Sequence, residues 1–234
     1  MNIPILLLHG ALGSEPQLQL LKKQLSDEFS VHSFNFSGHG GRELPEHFSI
    51  KLFAEDVLHF CEANKLQNVI LFGYSMGGYV ALYLARHYPQ LVSSVVTLGT
   101  KLHWDAATAA RETAMMQPTI IEQKVTAFAQ QLQQRHSPAD WKVVMHKTAQ
   151  MLTAMGNENP IQTADYKLIQ APVLLMLGDR DKMVSLDETV AVYKQLTNAQ
   201  LAVLPATSHA IEMVDVKFIC TLIKKFVGLV VSAD

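Results

Sequence analysis

Residues 68–78 read Asn-Val-Ile-Leu-Phe-Gly-Tyr-Ser-Met-Gly-Gly and run directly into Tyr79-Val-Ala-Leu-Tyr-Leu-Ala-Arg-His-Tyr88. The apolar run has the character of a buried strand, and residues 79–88 have helical spacing, so Ser75 lies in the turn between them. A strand that passes into a helix within a few residues needs a sharp, strained backbone turn. Glycines at 73 and 77 leave room for it and for close neighbours. A serine hydroxyl is a poor nucleophile unless it is held clear of the sheet, beside a base and over backbone donors. A turn of this kind can do that.

The same alternation runs through the first hundred residues. Ile3–Leu8 reads as a buried strand, and Ser14-Glu-Pro-Gln17 as a capped helix start leading to Leu18, Leu21 and Leu25. Phe29–Phe36 reads as a second strand. A loop, Ser37-Gly-His-Gly-Gly-Arg42, comes next, and then a helix carrying Ile50, Phe53, Val57 and Phe60. Leu91–Leu98 is the fourth strand. Strands separated by helices imply parallel pairing with helices on both faces of the sheet. From about residue 101 the alternation stops, giving way to three helical patterns at about 105–116, 119–135 and 138–155. Thr119…Glu122 offers a capping box for the second. Pro138 is placed for the first helical position of the third, and Gly156 for its end. The β/α pattern resumes with Ala171–Leu177, a helix opened by Ser185…Glu188, a strand at Leu201–Leu204 and a last helix from about Ile211. The expected organisation is a core part at 1–100, a helical cap at 101–165 and a second core part at 166–234.

Composition narrows the classes. Of 234 residues, 49% are hydrophobic and 17% charged, with a net charge of −2, which suits one compact globular unit. No basic run or stripe is present, so nucleic acid and anionic membrane are not expected partners. Cys61 and Cys220 fall in amphipathic helical patterns as small buried residues, with no disulfide framework. No leader pattern or membrane-length apolar segment is read, and a cytoplasmic location is expected. No His/Cys/Asp cluster has metal-ligand spacing, and no phosphate-loop lysine comes after the glycines at 38, 40 and 41. Neither a metal nor another cofactor is expected.

In open parallel sheets, functional loops lie at the carboxyl ends of strands. Four such ends stand out here: His9-Gly-Ala-Leu-Gly-Ser14, Ser75, Gly178-Asp-Arg-Asp181 and Pro205-Ala-Thr-Ser-His209. A serine, then a carboxylate, then a histidine is the chain order of the α/β-hydrolase triad. The chain resembles the capped α/β-hydrolase superfamily over nearly its whole length, most specifically at His9-Gly10, Ser37–Gly40, Gly73–Gly78, Gly178–Asp181 and His209. The resemblance implies Ser75 as nucleophile, His209 as general base and then acid, and Asp181 as the carboxylate that orients the imidazole. It also implies the backbone N–H groups of Ala11 and Met76 as oxyanion donors. Asp179 competes with Asp181, and the spacing after the strand favours Asp181. His9 and His39 read as residues bracing loops near the pocket.

By the same resemblance, residues 101–165 cover the site. Leu12, Tyr74, His103, Trp104 and Trp141 are candidate substrate contacts, with Met115, Met116, Phe128 and Met145 as further lining candidates. A Met or aromatic residue at helical spacing is equally at home in the core of the cap. The cap has no obvious Arg/Lys pair for a dianionic substrate, which points to a neutral or weakly polar one. Two departures from the superfamily pattern bear on function. The His-Gly strand comes first in the chain, where members usually have two strands before it, so Phe29–Phe36 is expected at a sheet edge, where it could pair in a homodimer. The serine turn resembles that of the menaquinone-pathway lyases, which continue with arginine where this chain has Tyr79, so a carboxylate-rich substrate loses a partner. The expected activity is that of a carboxylesterase on a small to medium ester. The alternatives are C–C hydrolysis or lyase chemistry by the same residues, or a hydrolase-fold receptor for a small ligand.

Overall fold

The structure is a computed structural model and describes residues 3–231. Its strands are β1 (Pro4–Leu8), β2 (Ser30–Ser33), β3 (Val69–Tyr74), β4 (Val92–Leu98), β5 (Val173–Gly178) and β6 (Ala199–Leu204). They form one six-stranded sheet in the order β2-β1-β3-β4-β5-β6, with every neighbouring pair parallel. The chain steps outward from β1 to β2, then returns to lay β3 on the other side of β1. That reversal opens a crevice at the carboxyl ends of β1 and β3. Leu8 pairs with Gly73 there, so the His9-Gly10 loop and the Ser75 turn leave the sheet side by side. β2 stands at one edge of the sheet and is shorter than the run Phe29–Phe36.

β1, β3 and β5 are almost entirely buried because helices cover both faces. Side chains alternate between the two layers. Ile5 and Leu7 pack toward α1 (Gln19–Leu25) and α9 (Val216–Val231), against Leu18, Leu21, Ile223 and Phe226. Leu6 and Leu8 face the opposite way, toward α2 (Ile50–Ala63) and α3 (Met76–His87). A one-residue slip of β1 would exchange these two sets, so burial on both sides fixes its register. α3 sits over this second face with helices beyond it, and residues 76–82 are all buried. α8 (Leu186–Tyr193) opens with the expected capping box, in which Ser185 N–H donates to Glu188 Oε2 at 3.1 Å and Glu188 N–H to Ser185 Oγ at 3.2 Å.

Between β4 and β5 the chain is all helical: α4 (Ala106–Ala114), α5 (Pro118–Lys124), α6 (Thr126–His136) and α7 (Trp141–Asn157). These form the cap, and they correct the sequence reading in several places. The expected helix at 119–135 is two helices that break at Val125, a β-branched residue in a non-helical conformation. Thr119…Glu122 is not the cap of α5, because Pro118 takes the first helical position, where its preset φ suits it. Glu122 pairs instead with Lys142 at 2.7 Å. Pro138 does not open α7. Asp140 caps it, accepting from Lys142 N–H at 2.9 Å. Gly156 falls in the last turn of α7, which ends one residue later, at Asn157. A Cβ there would come within 2.5 Å of Ala109 Cβ, so the glycine lets α7 and α4 approach closely. The helix expected from Ser14 starts as a 3-10 turn (Glu15–Leu18) before α1. That expected from Ile211 is likewise a 3-10 turn (Ile211–Met213), with α9 beginning at Val216. No helix among the described residues is long and apolar enough to cross a membrane.

Candidate active site

Ser75 occupies the turn between β3 and α3 with φ 51° and ψ −116°, a left-handed backbone that a non-glycine residue adopts at a cost of about 1–3 kcal/mol. The surroundings hold it there. Its N–H donates to Leu98 O at 2.8 Å, and its carbonyl accepts from Thr100 Oγ1 at 3.0 Å and from Gly78 N–H at 3.0 Å. Gly77 lets α3 approach β1, since a Cβ there would lie 2.4 Å from the Leu8 carbonyl oxygen.

His209 lies beyond the end of β6, and Asp181 beyond that of β5. His209 Nδ1 lies 2.7 Å from Asp181 Oδ2, and His209 Nε2 lies 3.3 Å from Ser75 Oγ. A carboxylate can only accept, so Nδ1 carries the proton and Nε2 presents its lone pair to the serine hydroxyl. Asp181 is also gripped by Met183 N–H at 2.8 Å and Val184 N–H at 2.9 Å. Burial pushes its pKa up, but the His209 hydrogen bond, the two amides and the nearby imidazole outweigh that and leave it below the usual carboxylate value. Asp181 therefore stays ionised beside the imidazole. Asp179 lies elsewhere, accepting from Thr207 N–H at 3.1 Å and so tying the loop before His209 to the loop after β5.

The loop after β1 runs beside Ser75. The Gly10 carbonyl accepts from His9 Nδ1 at 2.8 Å and from Gly13 N–H at 3.0 Å. His9 is in turn oriented by Phe36 N–H, which donates to Nε2 at 3.1 Å. The C=O and N–H of one trans peptide point in opposite directions, so holding the Gly10 carbonyl also sets the direction of Ala11 N–H. Met76 is the first residue of α3, where a helix leaves its amides without internal partners.

A cavity of about 300 Å³ opens over Ser75 and His209. Ala11 and Met76 border it, and its walls are apolar: Ile50, Met115, Met116, Leu152 and Met155 from the core and cap. Trp104 also lines it, with its Nε1–H on Lys101 O at 3.3 Å. Other candidates from the sequence lie away from it. His103 is exposed and pairs with Asp105 at 3.2 Å. Trp141 and Met145 are buried in the cap interior, and Phe128 packs against the same core. Tyr74 backs the site rather than lining it, and its hydroxyl donates to His209 O at 3.1 Å. Leu12 has φ 55° and turns its carbonyl toward the cap. Tyr79, where the lyase pattern has arginine, borders the cavity but spends its hydroxyl on Asn159 and on Ile161 N–H.

Several lining residues went unread in the sequence. Lys101, Arg111, Glu112 and Lys182 bring charge to the cavity. Much of it is internally paired, because Lys101 Nζ lies 3.6 Å from Glu112 and 3.4 Å from Glu188, and Arg111 lies 3.4 Å from Glu112. No local pattern marks the Lys101 pairs, since they join the end of β4 to the cap and to the start of α8. Among the described residues no group of three or more His, Cys, Asp or Glu side chains is placed to hold a metal ion.

With this geometry in place, comparison with known proteins is decisive about family. Residues 3–133 match the family described as alpha/beta hydrolase fold, over more than half of the chain, and the chain belongs to that family. Its helical cap and six-stranded parallel sheet have the same architecture. A thermophilic esterase from Thermogutta terrifontis superposes with a TM-score of 0.80 at 21% identity, covering 98% of this chain and 91% of that one. The 2-(acetamidomethylene)succinate hydrolase of Mesorhizobium japonicum is 23% identical over 95% of this chain and 87% of its own. Ethanol acetyltransferase 1 of Cyberlindnera jadinii is 33% identical over a shorter stretch, 41% of this chain and 29% of that enzyme.

Proposed function

We propose that the chain is a serine hydrolase that cleaves a small to medium carboxylic ester through an acyl-enzyme on Ser75. The observation that carries this reading is the run of contacts from Asp181 through His209 to Ser75 at the floor of an apolar cavity. His209 Nε2 takes the Ser75 proton as Oγ attacks the ester carbonyl, and Asp181 stabilises the imidazolium that forms. The Ser75–His209 contact of 3.3 Å is long, as such contacts are before substrate tightens them. Ala11 and Met76 N–H groups receive the charge developing on the carbonyl oxygen. The imidazolium then gives its proton to the departing alkoxide. Water repeats the sequence in reverse to release the acid and restore Ser75.

The cavity, about 300 Å³, lies at the small end of the range for ligand sites, and its apolar walls suit an acyl chain. Lys101 and Arg111 are paired with glutamates, and Lys182 is left as a lining cation without an ion pair among the described residues. The similarity to an esterase fold and to an acetyltransferase supports acyl chemistry at this site. The test is hydrolysis of nitrophenyl esters from acetyl to dodecanoyl by wild type and Ser75→Ala. Turnover that depends on Ser75 and peaks at one chain length is expected. Folded wild type that turns over no ester, or an alanine variant as active as wild type, would sink the reading.

A further inference from the structure

Arg135 and His136 close α6, yet neither behaves like the frayed end of a surface helix. The Arg135 side chain is 15% exposed, and His136 is wholly buried. Both reach out of the cap to one atom of the core. Arg135 Nη1 donates to the Leu12 carbonyl at 2.8 Å, and His136 Nε2 lies 3.1 Å from the same oxygen. The His136 proton can be placed, because Gly40 N–H donates to Nδ1 at 3.2 Å, so Nε2 carries the hydrogen and donates to Leu12. Arg135 is held in turn by Glu212 at 3.7 Å, and Glu212 also accepts from Gln17 Nε2 at 2.7 Å.

Two donors saturate the lone pairs of one carbonyl, and they do so at a residue with φ 55°. A non-glycine residue keeps that backbone only where its surroundings enforce it. Released, Leu12 would relax toward extended backbone, turning the peptide that carries the Ala11 C=O and the Leu12 N–H and shifting Ala11 as a whole relative to Ser75. Ala11 thus lies between two braced carbonyls. Gly10 is gripped from within the core by His9 and Gly13, and Leu12 is gripped from the cap.

We propose that Arg135 and His136 are positioning residues of the oxyanion hole: the Gly10 carbonyl sets the direction of the Ala11 N–H, α6 fixes the strained turn on which Ala11 sits by holding the carbonyl of the Leu12–Gly13 peptide, and the hole is complete only when this end of the cap is seated on the core. The proposal rests on the reading of Ala11 and Met76 as oxyanion donors. It makes the cap part of the catalytic geometry as well as a wall of the cavity.

The test compares Arg135→Met, His136→Leu and His136→Gln with wild type in two assays, each referred to the melting temperature. The first is the rate at which a fluorophosphonate labels Ser75. There Oγ bonds to phosphorus, fluoride leaves, the serine proton passes to His209 and the phosphoryl oxygen sits where the oxyanion would. The second is kcat and KM on the best nitrophenyl ester. Misaiming one donor is a milder loss than deleting it, so labelling and kcat should fall about 10-fold in Arg135→Met and His136→Leu with KM within about twofold. His136→Gln should recover most of the loss, because its amide can donate to Leu12 and accept from Gly40. Should His136→Leu fail to fold, Arg135→Met, at a partly exposed position, decides the matter. Wild-type rates in Arg135→Met, a loss confined to KM, or a glutamine variant as slow as leucine overturns the proposal and leaves the Ser75 reading standing. A folded wild type that the probe does not label removes both.

Discussion

Three imidazoles cluster out of reach of solvent, meeting at tilted and edge-to-face angles, and they should make the protein sensitive to mild acid. His9 and His39 have ring centroids 5.2 Å apart, His39 and His136 5.6 Å, and all three are 0% exposed. Burial pushes His9 and His136 down from 6.5 to about 4, against smaller opposing effects of their hydrogen bonds to Gly10 and Leu12. His39 is held well below 6.5 by the same cause. The hydrogen bonds agree, because His9 and His136 each accept from a backbone N–H and a protonated ring could not. In the unfolded chain these rings protonate near pH 6.5, so between about 6.5 and 4 the unfolded state binds protons that the folded state refuses. The stabilisation is fully present above that window and is lost as pH falls through it. A depression from 6.5 to about 4 corresponds to about 3 kcal/mol per ring, a large share of the roughly 5–15 kcal/mol that holds a domain folded. Urea unfolding monitored by tryptophan fluorescence, stepped from about pH 7.5 to 4, would measure it in wild type and His136→Gln. The variant should start less stable at neutral pH, then lose about 3 kcal/mol less on acidification. Parallel curves for the two proteins would refute the reasoning. Asp181 does not confuse the result, because a carboxyl held below 3.8 gives up its contribution only at lower pH.

Three further outcomes are expected from particular contacts. Asp181→Asn leaves an amide that can donate to His209 Nδ1 and so favours the wrong tautomer; kcat on a nitrophenyl ester should drop about 10³–10⁴-fold, and a loss under tenfold would remove Asp181 from the orienting role. Gly77→Ala forces a Cβ against the Leu8 carbonyl at 2.4 Å; unfolding should show a loss of about 1–3 kcal/mol, together with weakened activity, and a neutral effect would mean that α3 can retreat from β1 freely. Met155→Ala widens the cavity wall and should move the preferred acyl length upward in the ester series, whereas an unchanged optimum would place the acyl chain elsewhere.

Much of the fold was legible because the core obeys local rules. A buried run such as Val69–Phe72, a turn with glycines and an apolar helix beyond it leave few choices. The cap was less legible. Val125, which splits one expected helix into two, and Gly156, whose missing side chain lets α4 press on the last turn of α7, act through conformation and packing that no periodicity displays. The same holds for the site. Ser75, Asp181 and His209 could be singled out because each falls in a turn or loop beyond the carboxyl end of a strand. Trp141 and His103 looked alike as cap candidates, yet one is buried inside the cap and the other is in solvent. Burial of a cap residue depends on how four helices settle on the core, and the sequence encodes that only jointly.

The division between core and cap also divides the proposed chemistry. Ser75, Asp181 and His209 all stand on strand ends, in loops pinned by backbone hydrogen bonds such as Ser75 N–H to Leu98 O and Asp179 N–H to Leu204 O. The acyl wall, by contrast, comes largely from cap residues such as Met115, Met116 and Met155, unbranched side chains that repack easily. Changes at strand ends should therefore depress every substrate alike, while changes in the cap should reorder substrates. Arg135 and His136 are the exception, being cap residues joined to the loop beside Ser75. If they set that loop, a ligand that lifts the cap lowers kcat for all esters, and selectivity and turnover become coupled through a single carbonyl.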